Sequence, residues 1–282
     1  FKRYMSEKKY LLGLTLEELQ NVAIECGMPK FTGKQIADWI YKKKVSSIEA
    51  MTNLSLANRE KLAEIYEVGR TEPVEKQVSK DGTVKYLFRT KEGKLIESVM
   101  IPEADRATLC VSSQVGCRMN CLFCMTGKQG LNGHLSTAEI LNQVYSVAES
   151  DDLTNVVFMG MGEPLDNYEN VSKTLDIMTA EYALAWSPKR ITVSTTGVTP
   201  KLKRFLEEDN AQLAVSLHTP FADERLSIMP AEKAFPLAGV LELLKEYEWS
   251  KQRRLSFEYI RFDGFNDSLM HAKELRKQLS GL

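Results

Sequence analysis

Ala107-Thr108-Leu109-Cys110-Val111-Ser112 reads as a β-strand and runs directly into Ser113-Gln114-Val115-Gly116-Cys117-Arg118-Met119-Asn120-Cys121-Leu122-Phe123-Cys124. A strand that empties into a cysteine-rich loop sets the frame for the rest of the chain. Downstream, apolar strand patterns recur at 155–159, 190–194, 212–216 and 255–261. Helical patterns lie between and after them near 137–150, 168–182, 199–208, 236–248 and 267–279. Ser136-Thr137-Ala138-Glu139 is a capping box at the first of these helices. Five strand–helix units at this spacing predict a parallel α/β sheet, open or barrel-like.

Upstream the period changes. Val84, Tyr86 and Phe88 alternate, Asp81-Gly82 is a hairpin signal, and 95–101 is a further strand, so 74–102 reads as a short antiparallel meander. Further upstream the pattern is helical. Thr15-Leu16-Glu17-Glu18 is a capping box for a helix to about Cys26, stopped by Gly27 and Pro29. Thr32-Gly33-Lys34-Gln35 reads as a second box, opening a helix with Ile36, Trp39 and Ile40 on one face and Lys42-Lys43-Lys44 at its end. A third helix is expected over 55–66. The expected partition is a helical domain over 1–66, a β meander linker over 67–105, and a partial βα barrel over 106–282.

The chain has 282 residues, 43% apolar and 27% charged, which suits a globular protein with its own core. No apolar run approaches the roughly 18 residues of a membrane span. Phe1-Lys2-Arg3-Tyr4 is followed by polar sequence, not by a signal peptide, so a cytoplasmic protein is expected. Net charge is −1, which excludes a polycationic nucleic-acid coat and leaves room for a local basic patch. Residues 1–66 hold eleven Lys and Arg against eight Asp and Glu. Met5 reads as a natural start, and the stop at Gly281-Leu282 after a helical pattern reads as a fragment end.

Four of the five cysteines, Cys110, Cys117, Cys121 and Cys124, fall within fifteen residues. In a reducing compartment that is a metal or redox signature. Structural zinc usually takes four ligands as two separated pairs, and no second pair exists; His134 fits no such spacing. Three thiolates on one loop suit a four-iron cluster that keeps one iron open.

Cys-x3-Cys-x2-Cys with Phe123 before the last cysteine resembles the radical S-adenosylmethionine superfamily. Cys110 to Cys117, Gly160-Met161-Gly162-Glu163-Pro164, Ser194-Thr195-Thr196-Gly197 and Ser216-Leu217-His218 together resemble one family within it. These are the dual-specificity RNA methyltransferases, which methylate carbon 2 of adenine in 23S rRNA and tRNA. The resemblance runs from about Thr15 to the end. It implies a (βα)6-type barrel, a 4Fe–4S cluster on Cys117, Cys121 and Cys124, and S-adenosyl-L-methionine bound by Gly162, Glu163, Ser194, Ser216, Leu217 and His218. It implies one-electron cleavage of the sulfonium to a 5′-deoxyadenosyl radical. That suits the chemistry: carbon 2 of adenine is not nucleophilic, and radical cofactors reach such positions. It gives Cys110 a thiol–disulfide exchange with a methyl-carrying cysteine, and Glu97 a general-base role.

Taken singly, Gly162-Glu163 is an ordinary turn, Cys110 a small buried hydrophobe, Glu97 a solvated strand face, and the lysine run plain surface. Four motifs at consecutive strand ends carry more weight than any one. The methyl carrier of the family lies in its C-terminal segment, and no cysteine follows Cys124. Rival readings are the related carbon-8 adenine methyltransferase, a glycyl-radical activase, and a non-catalytic iron–sulfur RNA-binding protein. Expected partners are 23S rRNA, tRNA and an electron donor such as flavodoxin or ferredoxin, with the protein a monomer off the membrane. Lys42 to Lys44 would meet RNA phosphates. Trp39, Tyr41 and Tyr66 could stack on bases, although the helical spacing of Trp39 suits a core. Cys26, His134 and His271 receive no role.

Overall fold

The computed structural model describes residues 7–249 and 253–282; the expected start at Met5 lies outside them. The helical unit begins with β1 (Lys9–Tyr10) and α1 (Leu16–Glu25). At the head of α1 the Thr15 hydroxyl accepts the Glu18 N–H, and the Glu18 carboxylate accepts the Thr15 N–H at 2.7 Å, the expected box. α2 (Thr32–Ala37) continues into one π-helical turn over Asp38–Lys42. The second box does not form. Thr32 already lies in the first turn, with its N–H on Pro29 O at 2.9 Å, so its hydroxyl is past the cap position. α3 (Leu56–Ile65) stops before Tyr66 because β2 (Tyr66–Glu67) pairs in parallel with β1.

The meander is β3 (Glu75–Val78), β4 (Val84–Arg89) and β5 (Leu95–Pro102), all antiparallel. β6 (Ala107–Cys110) pairs antiparallel with β5 on one side and parallel with β9 (Asn155–Phe158) on the other. Between them come β7 (Gln114–Gly116), α4 (Met125–Lys128), β8 (Leu131–His134) and α5 (Thr137–Ser146). The chain continues through α6 (Tyr168–Thr179), β10 (Ile191–Thr195), α7 (Thr199–Glu208), β11 (Gln212–Ser216), α8 (Ala222–Ile228), α9 (Leu237–Glu246), β12 (Leu255–Glu258) and α10 (Leu269–Gln278).

These strands make one eight-stranded sheet in the order β12-β11-β10-β9-β6-β5-β4-β3. The five parallel strands follow one another without reversal. That is the order of a barrel segment and not of a doubly wound sheet, whose order turns back at a switch point. The described sheet does not close; β12 and β3 are its edges. β10 is buried at all five positions, as a strand covered on both faces should be, while β5 alternates.

Two strands are shorter than their sequence patterns. β6 ends at Cys110 because the Ser112 N–H turns to the Gln143 side chain and the Ser113 N–H to Met161 O. β12 ends at Glu258 because the Ile260 N–H goes to His218 Nδ1 and the Phe262 N–H to Asn266 Oδ1.

The helical unit shares its core with the sheet unit. Tyr41 is fully buried, donates to Leu14 O at 2.6 Å, and meets the rings of Tyr145 and Tyr182 at about 6 Å. Tyr41 is therefore core, not a free stacking platform. Lys44 reaches Ser150 and Asp151, and Lys173 reaches Glu18. Among the described residues no helix is long and apolar enough to cross a membrane.

Candidate active site

Parallel strands leave ligand sites at their carboxyl ends. Here the ends of β9, β10, β11 and β12 and the cysteine loop enclose a cavity of about 320 Å³. β7 and β8 pair as a neck under the loop, an element the sequence did not reveal. Gly116 makes the neck possible: it sits at φ +75°, and a Cβ there would lie 1.8 Å from Gly130 O. The loop is also tied to α8, where the Leu122 N–H meets Ile228 O at 2.9 Å.

Cys117, Cys121 and Cys124 all line the cavity. Burial pushes the Cys117 thiol up to about 11 and the Cys121 thiol up to about 12. Both therefore need a bound cation to become thiolates at neutral pH. Among the described residues no three His, Cys, Asp or Glu side chains close on a point as around a single ion. The thiols line a wall instead. An all-sulfur donor set on a wall, facing hydroxyls, methionines and an aromatic edge, fits an iron–sulfur cluster beside a nucleoside-like ligand.

Gly162 sits at φ +104° against Gln114, where a Cβ would come within 2.5 Å of the glutamine side chain. Gln114 is fully buried and holds the second motif to the loop: its Oε1 accepts the Glu163 N–H, and its Nε2 reaches Asp166 and His134. Asp166 in turn pairs with Arg118 beside the first cysteine.

Glu163 is buried beside the cavity. Its Oε1 accepts from Thr195 Oγ1 at 2.7 Å and the Leu165 N–H at 3.1 Å. Its Oε2 accepts from the Thr196 N–H at 2.8 Å and Thr196 Oγ1 at 3.0 Å. A carboxylate has about four lone-pair sites, and these four bonds use them. Burial nevertheless raises its pKa. Glu163 thus fastens the end of β10, and an incoming amino group would have to displace one of its partners.

Ser194 and Ser216 both donate at 2.8 Å to Oε2 of Glu258, a residue the sequence reading passed over. Leu217 is fully buried and does not line the cavity; its N–H goes to Glu258 O. His218 stands at φ +60°, its ring edge-to-face with Phe123 at 4.9 Å between centroids. Its Nδ1 accepts from the Ile260 N–H, so the ring proton is on Nε2. Burial, with help from Arg225, brings its pKa down to about 4, which keeps it neutral.

Two further candidates stand outside the cavity. Cys110 lies at the end of β6, with its sulfur facing the Met159 N–H, and burial pushes its thiol up to about 11. Glu97 projects from β5, half-exposed, and pairs with Lys85 at 3.1 Å. His134 and His271 are absorbed by Gln114 and Glu224.

Arg225 on α8 is the least expected member. It is fully buried. Its Nη2 donates to Thr196 O and Ser216 O at 2.9 Å, its Nε to Leu217 O at 3.2 Å, and its Nη1 to Glu232. One guanidinium therefore spans the ends of β10 and β11.

The radical SAM superfamily model matches residues 111–274, and the model described as ribosomal RNA large subunit methyltransferase N-terminal domain matches 9–68. A probable dual-specificity RNA methyltransferase RlmN of Parabacteroides distasonis is 60% identical over 278 residues, which is 99% of this chain and 81% of the relative. A dual-specificity RNA methyltransferase RlmN of Geobacter sulfurreducens is 42% identical over 96% of this chain and 75% of its own length. A crystal structure of a radical SAM methyltransferase from Sphaerobacter thermophilus superposes with a TM-score of 0.91 at 39% identity, covering 97% of this chain and 82% of that one. With such identity over almost its whole length, the chain belongs to the dual-specificity RNA methyltransferase family of the radical SAM superfamily.

Proposed function

We infer that this enzyme methylates carbon 2 of adenine in 23S rRNA and tRNA, in the cytoplasm, as a monomer supplied with electrons by a flavodoxin or ferredoxin. The observation that carries the reading is the shared cavity. Three thiols, strand-end hydroxyls and two carboxylates all line it. Cys117, Cys121 and Cys124 would hold a 4Fe–4S cluster, and the facing wall would hold S-adenosyl-L-methionine. Together those groups supply one-electron chemistry at a carbon that ordinary methyl displacement cannot reach.

The chain's own residues supply position. Gly162 lets the backbone of the β9 loop approach closely, and Glu163 locks Thr195 and Thr196. Ser194, Ser216 and His218 present polar atoms to the ligand, and Leu217 fills the space behind them. We assign Cys110 the thiol–disulfide exchange with the methyl-carrying cysteine that the resemblance implies; burial holds Cys110 as a thiol at rest. Glu97, half-exposed on β5, is assigned the proton removal. Its weak surface pairing with Lys85 leaves it free to meet a base carried by RNA. The methyl-carrying thiol implied by the resemblance is not among the five cysteines of this sequence.

We assign 1–66 to RNA docking, 67–105 to the joining meander and 106–282 to catalysis. The lysine run contributes unequally. Lys43 stacks on Trp39 and pairs with Asp38, and Lys44 is tied to Asp151, whereas Lys42 is exposed with no partner among the described residues.

The test is nucleoside mass spectrometry of 23S rRNA and tRNA from cells deleted for the gene. Loss of 2-methyladenosine is expected. Loss of 8-methyladenosine selects the carbon-8 reading, and loss of neither overturns both.

A further inference from the structure

The meander has one closed face and one open face. Residues opposite each other on paired strands share a face, and successive residues alternate between faces. Tyr86, Phe88, Ile96 and Met100 are buried on the closed face, and Ser98 beside them donates to Gln143 of α5 at 2.6 Å. The open face carries Lys85 opposite Val99 and Leu87 opposite Glu97. Leu87 and Val99 are half-buried there, and Leu95 on the same face is 42% exposed.

This open face leads to the cavity. Val99 stands opposite Cys110 on β6, Cys110 opposite Val157 on β9, and Val157 opposite Thr192 on β10. Two residues beyond Thr192 is Ser194, whose hydroxyl meets Glu258 of β12 inside the cavity. The face is also concave. β6 and β12 lie four places apart in the sheet, about 19 Å if it were flat. Yet the charge of Glu258 adds, after burial, to the rise of the Cys110 thiol.

Apolar side chains left open on a sheet face mark a contact surface. Whatever covers this one also covers Glu97 and Cys110, the residues assigned to act on the substrate. A protein seated there would shut the substrate out, so the occupant is the substrate chain itself. A target base that enters a cavity leaves its stack, and its neighbours lose a stacking face. Leu87 and Leu95 offer them apolar surface, and exposed Arg89, opposite Leu95, offers a guanidinium plane. Lys85 and Arg89 are balanced by Glu97 and Glu75 on the same face, so it suits base faces better than phosphates. We propose that the open face of β4 and β5 is a platform for an unpaired base next to the target adenine, with Leu87, Leu95 and Arg89 as its contacts. This rests on the reading that the substrate is RNA, and it gives the meander a role beyond joining two units.

The experiment is fluorescence anisotropy with a labelled RNA hairpin carrying one adenine in its loop. Two further hairpins each lack the base on one side of that adenine. The unsubstituted protein should bind at least one abasic hairpin about tenfold more weakly than the intact one. The Leu87→Ser, Leu95→Ser pair should bind the intact hairpin about tenfold more weakly, separate the three hairpins by less than about threefold, and keep the salt slope. Val78→Ser, on the opposite face of β3 and 66% exposed, should bind as the unsubstituted protein does. Full discrimination by the leucine pair overturns the platform and leaves the function standing. If the unsubstituted protein does not bind the intact hairpin, the RNA reading falls and the platform falls with it. If sedimentation shows that the pair turns a self-associating protein into a monomer while RNA binding is unchanged, the face belongs to a second copy and the proposal is overturned. Should the pair not fold, Arg89→Ala reads the same face: discrimination must drop, and full discrimination overturns the proposal.

Discussion

Two carboxylates line one cavity: Glu163, after β9, collects two hydroxyls from the end of β10, and Glu258, at the end of β12, collects one from β10 and one from β11. Glu163 is buried and uses both oxygens on Thr195, Thr196 and Leu165. Glu258 is half-buried and uses one oxygen on Ser194 and Ser216. The first arrangement is closed and makes the frame. The second is half open and faces the ligand. Residue type does not separate the two roles; the count of unused lone pairs does.

The closed side can be broken hardest through Arg225. Arg225→Met removes the donor to three rim carbonyls and strands Glu232 in the interior. Loss of one partner of a buried pair costs about 3–5 kcal/mol. Chemical denaturation should show that loss, and the Arg225→Met, Glu232→Leu pair should recover part of it. Equal stability of the single variant would mean that the rim does not depend on this clamp.

Glu163→Ala comes next. It orphans the Thr196 and Leu165 N–H groups and two threonine hydroxyls beside the cavity, at about 2–4 kcal/mol in total. S-adenosyl-L-methionine affinity should fall with it while the cluster still assembles, because Glu163 is on the β9 loop and not on the cysteine loop. Unchanged affinity by calorimetry would remove Glu163 from the frame of the ligand site.

The same residue gives a pH test. Burial raises the Glu163 pKa above its ordinary 4.5. The folded state then binds the proton more tightly than the unfolded state. Its stabilising contribution is complete below pH 4.5 and declines as pH rises through the folded-state value. Glu163→Gln should remove that decline, so the stability difference between the two proteins should change as pH rises from about 4.5 through the raised folded-state value. A constant difference over that window contradicts the assignment.

The smallest effects sharpen a second contrast, inside the lysine run. Lys44→Ala should cost about 1 kcal/mol, since Lys44 holds Ser150 and Asp151. Lys42→Ala should leave stability unchanged and lower the salt slope of RNA binding by about one counterion. A slope that follows Lys44 and not Lys42 would reverse the division.

The sequence made the parallel strands legible because each is apolar and is bounded by turn residues, and their ends could be found by the strand-end rule alone. The same rule applied to the last strand, read as 255–261, points past Glu258, because β12 ends three residues short of its pattern. Other features had no local signal. The β7–β8 neck uses Leu131-Asn132-Gly133-His134, which has no strand propensity and forms because Gly116 admits the Gly130 carbonyl. Arg225 acts on backbone carbonyls, which leave no trace in sequence. The lysine run looked uniform because the partner of Lys44, Asp151, is 107 residues away. The second capping box failed for a geometric reason: a Thr with a Gln three residues on is a cap only if the Thr precedes the first turn, and Thr32 is inside it.

On this reading Cys117, Cys121 and Cys124 would together hold a cluster with one iron left for the ligand. Anaerobic reconstitution followed by electron paramagnetic resonance of the reduced protein tests it directly. About four irons and four sulfides per chain are expected, with a reduced-cluster signal that changes on addition of S-adenosyl-L-methionine. Stoichiometric zinc without sulfide in anaerobically purified protein, or a cluster signal indifferent to S-adenosyl-L-methionine, would contradict it.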